Sequence, residues 1–599
     1  MTVTHSTVCS RVDEAMRKHA SKPALTARRN GKDKSWFTLT FAELRDNTRF
    51  FSLGLRSLGV DHGDRVAILS ENRPEWALAD LGSQFAGAIT VPIYPTLPIS
   101  QVAHILSDSG AKAVITSDDK QLAKAVSARA ACTTLNVIIC MDGTLASDGV
   151  LSFDDVIERG RLAESTMRPT FDEQRDAVCS EDLISIVYTS GTTGNPKGAM
   201  LTHANMISAI DGALAAFPLS PENEVFLSFL PLCHVFERVT YTLAISMGAH
   251  TIYNDNVFKL AENMGTFRPT IMQCVPRVFE SIHERVLETV SKQPKKRQRL
   301  FNMALQAAIR SKRITNSGRR QNPITAMKAG LADKIILSKV RNRFGGRLKF
   351  FVSGAAPLGV ATADFFNAIG IPILEGWGLT ETTAAATINP IHLARVGTVG
   401  KPAFGATVRL ADDSEILVRG SGVMRGYWNL PLDTAEAIDP QGWFHTGDLG
   451  SFDAAGYLKI VGRKKDILVL ANGKKVAPQP IETKIRTSPF IAEIVLIGDH
   501  APTVSAIIVP NFDHLRESVK NSGLTGKNDE IITSPIVRKL IKSEIDRLST
   551  DLADFEKIKR FELLDHAFTI EGGELTPTMK VKRQVVAEKY GRSAEGSQV

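Results

Sequence analysis

Short apolar runs alternate with amphipathic stretches near the start of the chain. Residues 65–70, 88–93 and 111–116 are apolar and rich in β-branched side chains, which predicts buried strands. Residues 74–86 and 100–109, which separate these runs, have the spacing of helices. Strands that alternate with helices are typical of a mostly parallel sheet covered on both faces. We therefore expect an α/β protein with a doubly wound sheet.

Local signals add further elements on either side of this alternation. Thr40 and Glu43 form a capping box that predicts the start of a helix, and residues 23–38 predict two strands around Asn30-Gly31. Residues 269–275 and 348–353 read as buried strands that flank a helix-prone insertion.

The pattern changes after Gly397 to short strands and turns, including a type I′ hairpin signal at Asn472-Gly473. Two strands and two helices are then expected at 493–497, 505–509, 481–486 and 535–548. We predict a large domain at 1–464, with a β-rich subdomain at about 397–464, and a small α+β lid domain at 465–599.

The composition limits the class of protein. A chain of 599 residues exceeds the usual size of one domain, and its 43% hydrophobic and 23% charged residues are ordinary globular values. No apolar run is long enough to span a bilayer. The six cysteines form no CxxC pair, which argues against a disulfide framework or zinc site. We expect a soluble cytoplasmic protein.

The charge is concentrated in one segment. Between Lys292 and Lys349 there are 17 Lys or Arg residues and one acid, Asp333, so the segment carries +16 against +8 for the whole chain. Its basic cluster at 310–320 (Arg310, Lys312, Arg313, Arg319 and Arg320) follows the apolar run 301–309, an arrangement that suits a helix bound to an anionic membrane surface. A solvated helical surface is the alternative. Few aromatic residues interleave with the basic ones, so nucleic acid binding is disfavoured.

The most informative stretch, residues 188–198, reads Tyr-Thr-Ser-Gly-Thr-Thr-Gly-Asn-Pro-Lys-Gly and follows the apolar run 183–187. Its glycines allow backbone N–H groups to converge on one anion. Seven residues supply this flexibility, hydroxyl donors or charge: Thr189, Ser190, Gly191, Thr192, Thr193, Gly194 and Lys197. The loop therefore predicts phosphate binding, although it lacks the spacing of the P-loop.

Residues 188–198 resemble the signature loop of the adenylate-forming enzymes, which include acyl-CoA synthetases, luciferases and peptide-synthetase adenylation domains. The hexapeptide at 376–381, Gly-Trp-Gly-Leu-Thr-Glu, resembles the second core motif of that family. The resemblance implies ATP binding by Gly376 and Gly378 with adenine on Trp377, and an α-phosphate contact from Thr380. It also implies Mg²⁺ binding by Glu381 with Thr189.

The later motifs follow in family order. His445-Thr446-Gly447-Asp448 resembles the motif whose carboxylate binds ribose, so Asp448 inherits that role. In the segment 462–466 the resemblance implies that Arg463 lies near the ribose-phosphate and that Lys465 is the hinge between the domains.

Lys580 matches the catalytic lysine of the family, with a register alternative at Lys582 because Met579 stands where glycine is common. The sequence Leu-Thr-Pro-Thr-Met-Lys itself resembles long-chain acyl-CoA synthetases. Two weaker matches place Ala355 beside adenine and His234 beside the carboxylate pocket. For His234, a structural role is an equal alternative.

Together these resemblances imply a long-chain fatty acid:CoA ligase that forms AMP and uses ATP, Mg²⁺ and CoA. The nearest alternative is a fatty acyl-AMP ligase that delivers the acyl group to a carrier protein, because the fold does not fix the acceptor. A basic membrane- or nucleic-acid-binding module is the alternative from another class.

Overall fold

The structure is a computed structural model that describes residues 7–29, 35–143, 149–189, 195–217, 219–220, 223–254, 256–318, 320–519, 527–576 and 580–596. The chain divides into two compact units. The first comprises residues 1–409, 417–446 and 453–458, and the second comprises 410–416, 447–452 and 459–599.

The first unit contains two large sheets that are mainly parallel. In spatial order, sheet A consists of Lys401–Pro402, Thr387–Ile388, Ile373–Trp377, Phe350–Ser353, Ile271–Cys274, Val225–Ser228, His250–Tyr253, Pro23–Arg28 and Trp36–Thr40. Sheet B consists of Gly426–Tyr427, Lys197–Thr202, Leu183–Thr189, Ile89–Ile93, Arg65–Leu69, Ala113–Thr116, Val137–Cys140 and Val150–Ser152. The antiparallel pairs lie at the sheet edges.

Helices follow most of the parallel strands of this unit. They are Val8–Lys18, Phe41–Ser57, Pro74–Phe85, Ile99–Ser109, Asp119–Ala128, Phe153–Ala177, His203–Ala216, Val235–Met247, Leu260–Phe267, Pro276–Ser291, Lys295–Asn316, Pro323–Ala332, Ser338–Asn342, Val360–Ala368 and Pro431–Ala437. Successive residues of one strand enter different apolar clusters, as Phe350 and Phe351 do. Both faces of the sheet are therefore buried, which confirms the α/β doubly wound prediction.

The remaining strands are short. One four-stranded sheet has the order Ala406–Leu410, Glu415–Gly420, Phe444–Phe452 and Leu458–Arg463. The second unit adds a hairpin, Leu468–Val469 with Lys475–Val476, and a three-stranded sheet of Ile491–Ile497, Ser505–Pro510 and Arg560–Leu563. Its helices are Pro478–Ile485, Phe512–Val519, Asn528–Thr533, Pro535–Leu548 and Arg583–Gly596.

One turn differs from the expectation. The predicted hairpin is present, but its turn is not type I′, because Gly473 has a positive φ (77°) and Asn472 does not. Leu470 N–H bonds to the Lys474 carbonyl at 2.9 Å, so three residues close the loop and only the last of them is left-handed. The turn at Asn30-Gly31 lies outside the described residues.

Most of the apolar side of the run 301–309 packs against the core. Phe301, Leu305 and Ala308 are buried beside sheet A, Met303 is 70% exposed, and Arg313 forms an ion pair with Asp364. The buried residues of this run therefore belong to a core helix, and membrane contact of the basic segment stays a prediction. Arg319 lies outside the described residues.

Within the described ranges, no helix combines the length and the apolar character that crossing a bilayer requires.

Candidate active site

The two ends of the predicted phosphate loop are fixed by an antiparallel strand pair. Strand Leu183–Thr189 runs beside Lys197–Thr202, with Thr189 opposite Lys197. The Thr189 hydroxyl donates to the Lys197 carbonyl at 3.4 Å. The loop's own residues (Ser190, Gly191, Thr192, Thr193 and Gly194) lie outside the described residues.

Two charged contacts surround these strand ends. The Lys197 ammonium pairs with the Asp433 carboxylate and lies 5.5 Å from the centroid of the Tyr427 ring. Tyr188 donates to Asp108 at 2.5 Å, and burial beside this carboxylate raises the pKa of the Tyr188 phenol. A phosphate bound by Lys197 must therefore either share the ammonium group with Asp433 or displace that carboxylate.

A short strand, Gly426–Tyr427, connects this loop to the second motif. It pairs with Lys197–Thr202, placing Tyr427 opposite Ala199. The Tyr427 hydroxyl donates to Glu381 Oε1 at 2.9 Å, and the backbone N–H of Met424 donates to the Glu381 carbonyl at 2.8 Å. Both the side chain and the backbone of Glu381 are thus oriented by the segment that pairs with the phosphate-loop strand.

The second motif begins where strand Ile373–Trp377 ends. A Cβ on Gly378 would lie 1.6 Å from the Ala384 carbonyl oxygen, so only glycine fits there. Trp377 is 9% exposed, and Thr380 begins a 3₁₀ turn, Thr380–Thr382, that also holds Glu381. The tight turn explains the glycine in the motif and leaves Thr380 half-buried.

Glu375, in the same strand, is a buried carboxyl. Burial raises its pKa to about 8, and bonds from the backbone N–H groups of Leu358 and Gly397 only partly oppose this. The neutral Glu375 carboxyl accepts a hydrogen bond from Leu358, so it connects the end of this strand with the loop that carries Ala355.

The loop at Ala355 is strained. Ala355 has φ of 69°, in the left-handed region that non-glycine residues rarely adopt. A Cβ on the preceding Gly354 would lie 3.4 Å from the Phe236 ring. This loop and the segment after His234 are therefore neighbours, and the predicted roles of Ala355 and His234 beside adenine and carboxylate stay predictions.

His234 caps helix Val235–Met247. Its Nδ1 accepts the backbone N–H of Phe236 at 3.1 Å, which requires the ring proton to be on Nε2. This contact gives His234 a structural role; its predicted catalytic role stays a prediction.

A small cavity lies between this helix and sheet A. Its polar lining includes Ser228, Glu237, Thr240 and Gln273. Glu237 accepts from the Ser228 hydroxyl, and burial raises the pKa of its carboxyl to about 8. Gln273 donates to Thr240, which joins the strand to the helix.

The predicted ribose residues contact each other. Arg463 Nε donates to Asp448 Oδ1 at 2.8 Å. Glu415 accepts the Gly447 N–H at 2.9 Å and the Lys464 ammonium at 3.1 Å, which fixes the backbone before Asp448 and after Arg463. Lys465 is exposed in the turn Lys464–Asp466. An acceptor and a guanidinium are thus held side by side, as a ribose-phosphate would require.

Lys580 stands on a narrow hairpin. Leu575 and Val581 form a bridge, and Lys580 N–H donates to Thr576 Oγ1 at 3.0 Å. In the same segment, Lys589 and the Tyr590 hydroxyl donate hydrogen bonds to the Glu574 carboxylate, and its pKa is lowered to about 2. The Lys580 residue is exposed, whereas Lys582 is half-buried.

No cluster of three or more His, Cys, Asp or Glu side chains fit for a metal occurs among the described residues. A carboxylate beside a phosphate loop nevertheless fits Mg²⁺, which binds proteins through one or two carboxylates together with substrate phosphates. Glu381, oriented by Tyr427, has that chemistry, and Thr189 ends the strand next to the one that pairs with Tyr427.

Sequence reasoning missed three contributors: the Tyr427 hydroxyl that orients Glu381, the buried carboxyl of Glu375, and Asp433, which pairs with Lys197. A carboxyl that stands between the apolar residues 371–374 and Gly376 is the one sequence signal that could have drawn attention.

Two family models match the chain. "AMP-binding enzyme" matches residues 12–428, and "AMP-binding enzyme C-terminal domain" matches residues 465–595.

Curated relatives match over nearly the whole length. Long-chain-fatty-acid–CoA ligase FadD15 of Mycobacterium bovis is 37% identical over 94% of this chain and 92% of its own. Long chain acyl-CoA synthetase 6, peroxisomal, of Arabidopsis thaliana is 30% identical over 94% and 81%.

Among solved structures, the anthranilate CoA ligase AuaEII in complex with anthranoyl-AMP has a TM-score of 0.72 at 22% identity, covering 98% of both chains. A Mycobacterium tuberculosis fatty acyl CoA synthetase has a TM-score of 0.62 at 23% identity, covering 98% of this chain and 99% of its own. At these identities the similarity concerns the fold.

Proposed function

The chain belongs to the AMP-binding enzyme family, and we propose that it is an AMP-forming long-chain fatty acid:CoA ligase. The relatives that match it over 94% of its length carry this activity in their names. The observation that carries the proposal is this similarity over nearly the whole chain. The contact of Tyr427 with Glu381 supports it, because it connects the strand beside the phosphate loop with the second motif.

The reaction requires two steps because a free carboxylate is a poor electrophile. The fatty acid carboxylate attacks the α-phosphorus of ATP, pyrophosphate leaves, and the acyl-adenylate carries AMP as a leaving group. The CoA thiol then attacks the acyl carbon, and a thioester and AMP result. Mg²⁺, when bound, neutralises phosphate charge.

We assign the side chains as follows. Thr189, Lys197 and Thr380 contact phosphate oxygens, and Glu381 and Thr189 hold Mg²⁺. Asp448 and Arg463 bind the ribose, and Trp377 and Ala355 lie beside the adenine. Lys580 neutralises charge between carboxylate and α-phosphate in the first step only. Rotation about Lys465 then removes it, so that CoA can react.

The proposal is tested by ATP–pyrophosphate exchange with palmitate, followed by addition of CoA. Palmitate-dependent exchange and palmitoyl-CoA formation support it. Exchange without thioester formation on adding CoA, together with acyl transfer to a carrier protein, would favour the fatty acyl-AMP ligase alternative. A fatty-acid length series then defines the chain preference.

We also propose peripheral contact between the basic segment, residues 292–349, and an anionic membrane at the cytoplasmic face. Arg310, Lys312 and Arg320 are exposed, and each basic residue near an anionic leaflet contributes ~1 kcal/mol. Binding of the full chain to vesicles with phosphatidylglycerol, and weaker binding to neutral vesicles, is the expected result. Equal binding to both would overturn it.

A further inference from the structure

Helix Pro323–Ala332, in the basic segment, directs its large apolar side chains to solvent. Four residues at helical spacing on it and on the turn that follows are exposed: Ile324 (59%), Met327 (68%), Leu331 (60%) and Ile335 (48%). We call these four the exposed stripe. The helix itself has no buried residue.

The opposite side of the same helix carries small side chains. Thr325, Ala329 and Ala332 are half-buried, while Met327 and Leu331 lie in solvent. Surface helices of globular proteins place their large apolar residues toward the core, so this arrangement is inverted. Within the part of the chain that the structure describes, these large apolar side chains stay largely in contact with water, which indicates an external apolar partner.

The surroundings of the exposed stripe are cationic. Lys328, Lys334 and Lys339 are exposed, and among the described residues none of them forms an ion pair. The single acid of the segment, Asp333, is occupied by Arg341, whose two terminal nitrogens lie 2.5 and 3.0 Å from its carboxylate. Apolar side chains ringed by lysines match a lipid surface with anionic headgroups, since lysine stems can lie along the apolar region with the ammonium at the headgroups.

We propose that the exposed stripe inserts into the acyl region of an anionic bilayer. The inference rests on the proposed membrane contact and extends it. Lysines attract the headgroups, and burial of the exposed stripe in lipid adds a contribution to binding that salt does not weaken. A second copy of the chain is a poorer occupant, because a twofold interface on this face would bring the same lysines together. The substrate class gives the insertion a purpose, since long fatty acids reside in bilayers.

The first experiment measures co-sedimentation of the full chain with vesicles of phosphatidylcholine and phosphatidylglycerol at low and high salt. The double variant Met327→Gln/Leu331→Gln should lower partitioning at high salt by at least roughly tenfold, because two apolar side chains no longer enter the lipid. The matched control is Leu162→Gln, at an exposed leucine (75%) of helix Phe153–Ala177, and should bind as the parent.

The variant Lys328→Gln/Lys334→Gln separates the two proposals. It should weaken binding at low salt while the high-salt fraction persists. If the stripe variant binds like the parent at both salts, insertion is rejected while the charge-based contact stands. If the parent loses all binding at high salt, insertion is likewise rejected.

The depth of insertion into the bilayer is measured with the variant Met327→Trp. The fluorescence emission of the new tryptophan should shift to the blue and be quenched by lipids brominated on the acyl chain. Leu162→Trp is the control that should show neither effect. Equal quenching of the two tryptophan variants would overturn the proposal. A change of sedimentation mass without lipid that depends on the exposed stripe would also overturn it, in favour of contact between copies of the chain. Ligase activity on a soluble short acid should be the same in all these variants.

Discussion

The Tyr427 hydroxyl donates a 2.9 Å hydrogen bond to Oε1 of Glu381, 46 residues earlier in the chain. Glu381 is largely buried, so this donor fixes which of its oxygens can point elsewhere. Tyr427 is itself held by the strand pair with Ala199 and by the Thr434 hydroxyl, which accepts its N–H at 2.9 Å. The proposed Mg²⁺ ligand is thus positioned by a residue of the strand next to the phosphate loop.

Glu381→Gln should raise the Mg²⁺ concentration needed for half-maximal adenylation, because a carboxylate is a better ligand for a hard cation than an amide. Tyr427→Phe should retain the ligand but lose its orientation, with kcat/KM lower by roughly 10- to 150-fold, in line with the ~1.5–3 kcal/mol of a hydrogen bond to a charged group. Pyrophosphate exchange over a Mg²⁺ titration measures both. Unchanged Mg²⁺ dependence in Glu381→Gln removes it from the metal site.

Lys580→Ala should reduce adenylation by roughly 10²–10³-fold, the usual effect of losing one donor to a developing charge. Thioester formation from preformed acyl-adenylate should be spared, because in the proposed mechanism Lys580 has left the site before CoA reacts. Lys582→Ala is the matched control on the same hairpin. A selective loss in the Lys582 variant instead would shift the assignment by two residues.

Lys465→Pro should affect the half-reactions in the opposite sense. Proline fixes φ and removes the N–H, so a hinge that must sample two backbone conformations is held in one. Acyl-adenylate should accumulate while transfer to CoA slows, which quenched-flow analysis of both species measures. Lys465→Ala retains backbone freedom and should behave like the parent. Parental rates in the proline variant would rule out the hinge.

Asp80→Ala should destabilise the first unit by ~3–5 kcal/mol, because it leaves the buried Arg238 charge without its partner. Both side chains are at most 1% exposed, and Tyr241 also donates to Asp80. The double variant Asp80→Ala/Arg238→Met should recover much of this loss. Chemical denaturation measures it, with Glu288→Ala, at the exposed Lys292–Glu288 pair, as a control expected within ~0.5 kcal/mol. Additive effects in the double variant would contradict the coupling.

Glu237→Gln should flatten the decline of thermal stability between pH about 4.5 and about 8. The pKa of Glu237 is raised by burial from 4.5 to about 8 in the folded protein. Its stabilising contribution is therefore complete below pH about 4.5 and is lost as pH rises through about 8, by at most about 5 kcal/mol. Glutamine is neutral throughout, so its Tm should fall less between pH 6 and 9. Glu262→Gln, at an exposed position, should retain the parental slope.

The sequence alone determined several of the helices and strands and the motifs at strand ends. These depend on local chemistry, such as apolar periodicity for strand Arg65–Leu69 and a capping box for helix Phe41–Ser57. The hydroxyls and the lysine of residues 189–197 likewise predict phosphate binding from local sequence, without information on distant contacts.

Tertiary structure decided which residues meet and which apolar faces are covered. Lys197 and Asp433 lie 236 residues apart in sequence, and no local signal connects them. Periodicity could not distinguish the buried Phe301 face from the exposed Met327 face, because both have helical spacing. Whether an apolar stripe is core or surface depends on the elements packed against it, and that packing is a property of the whole chain rather than of the helix.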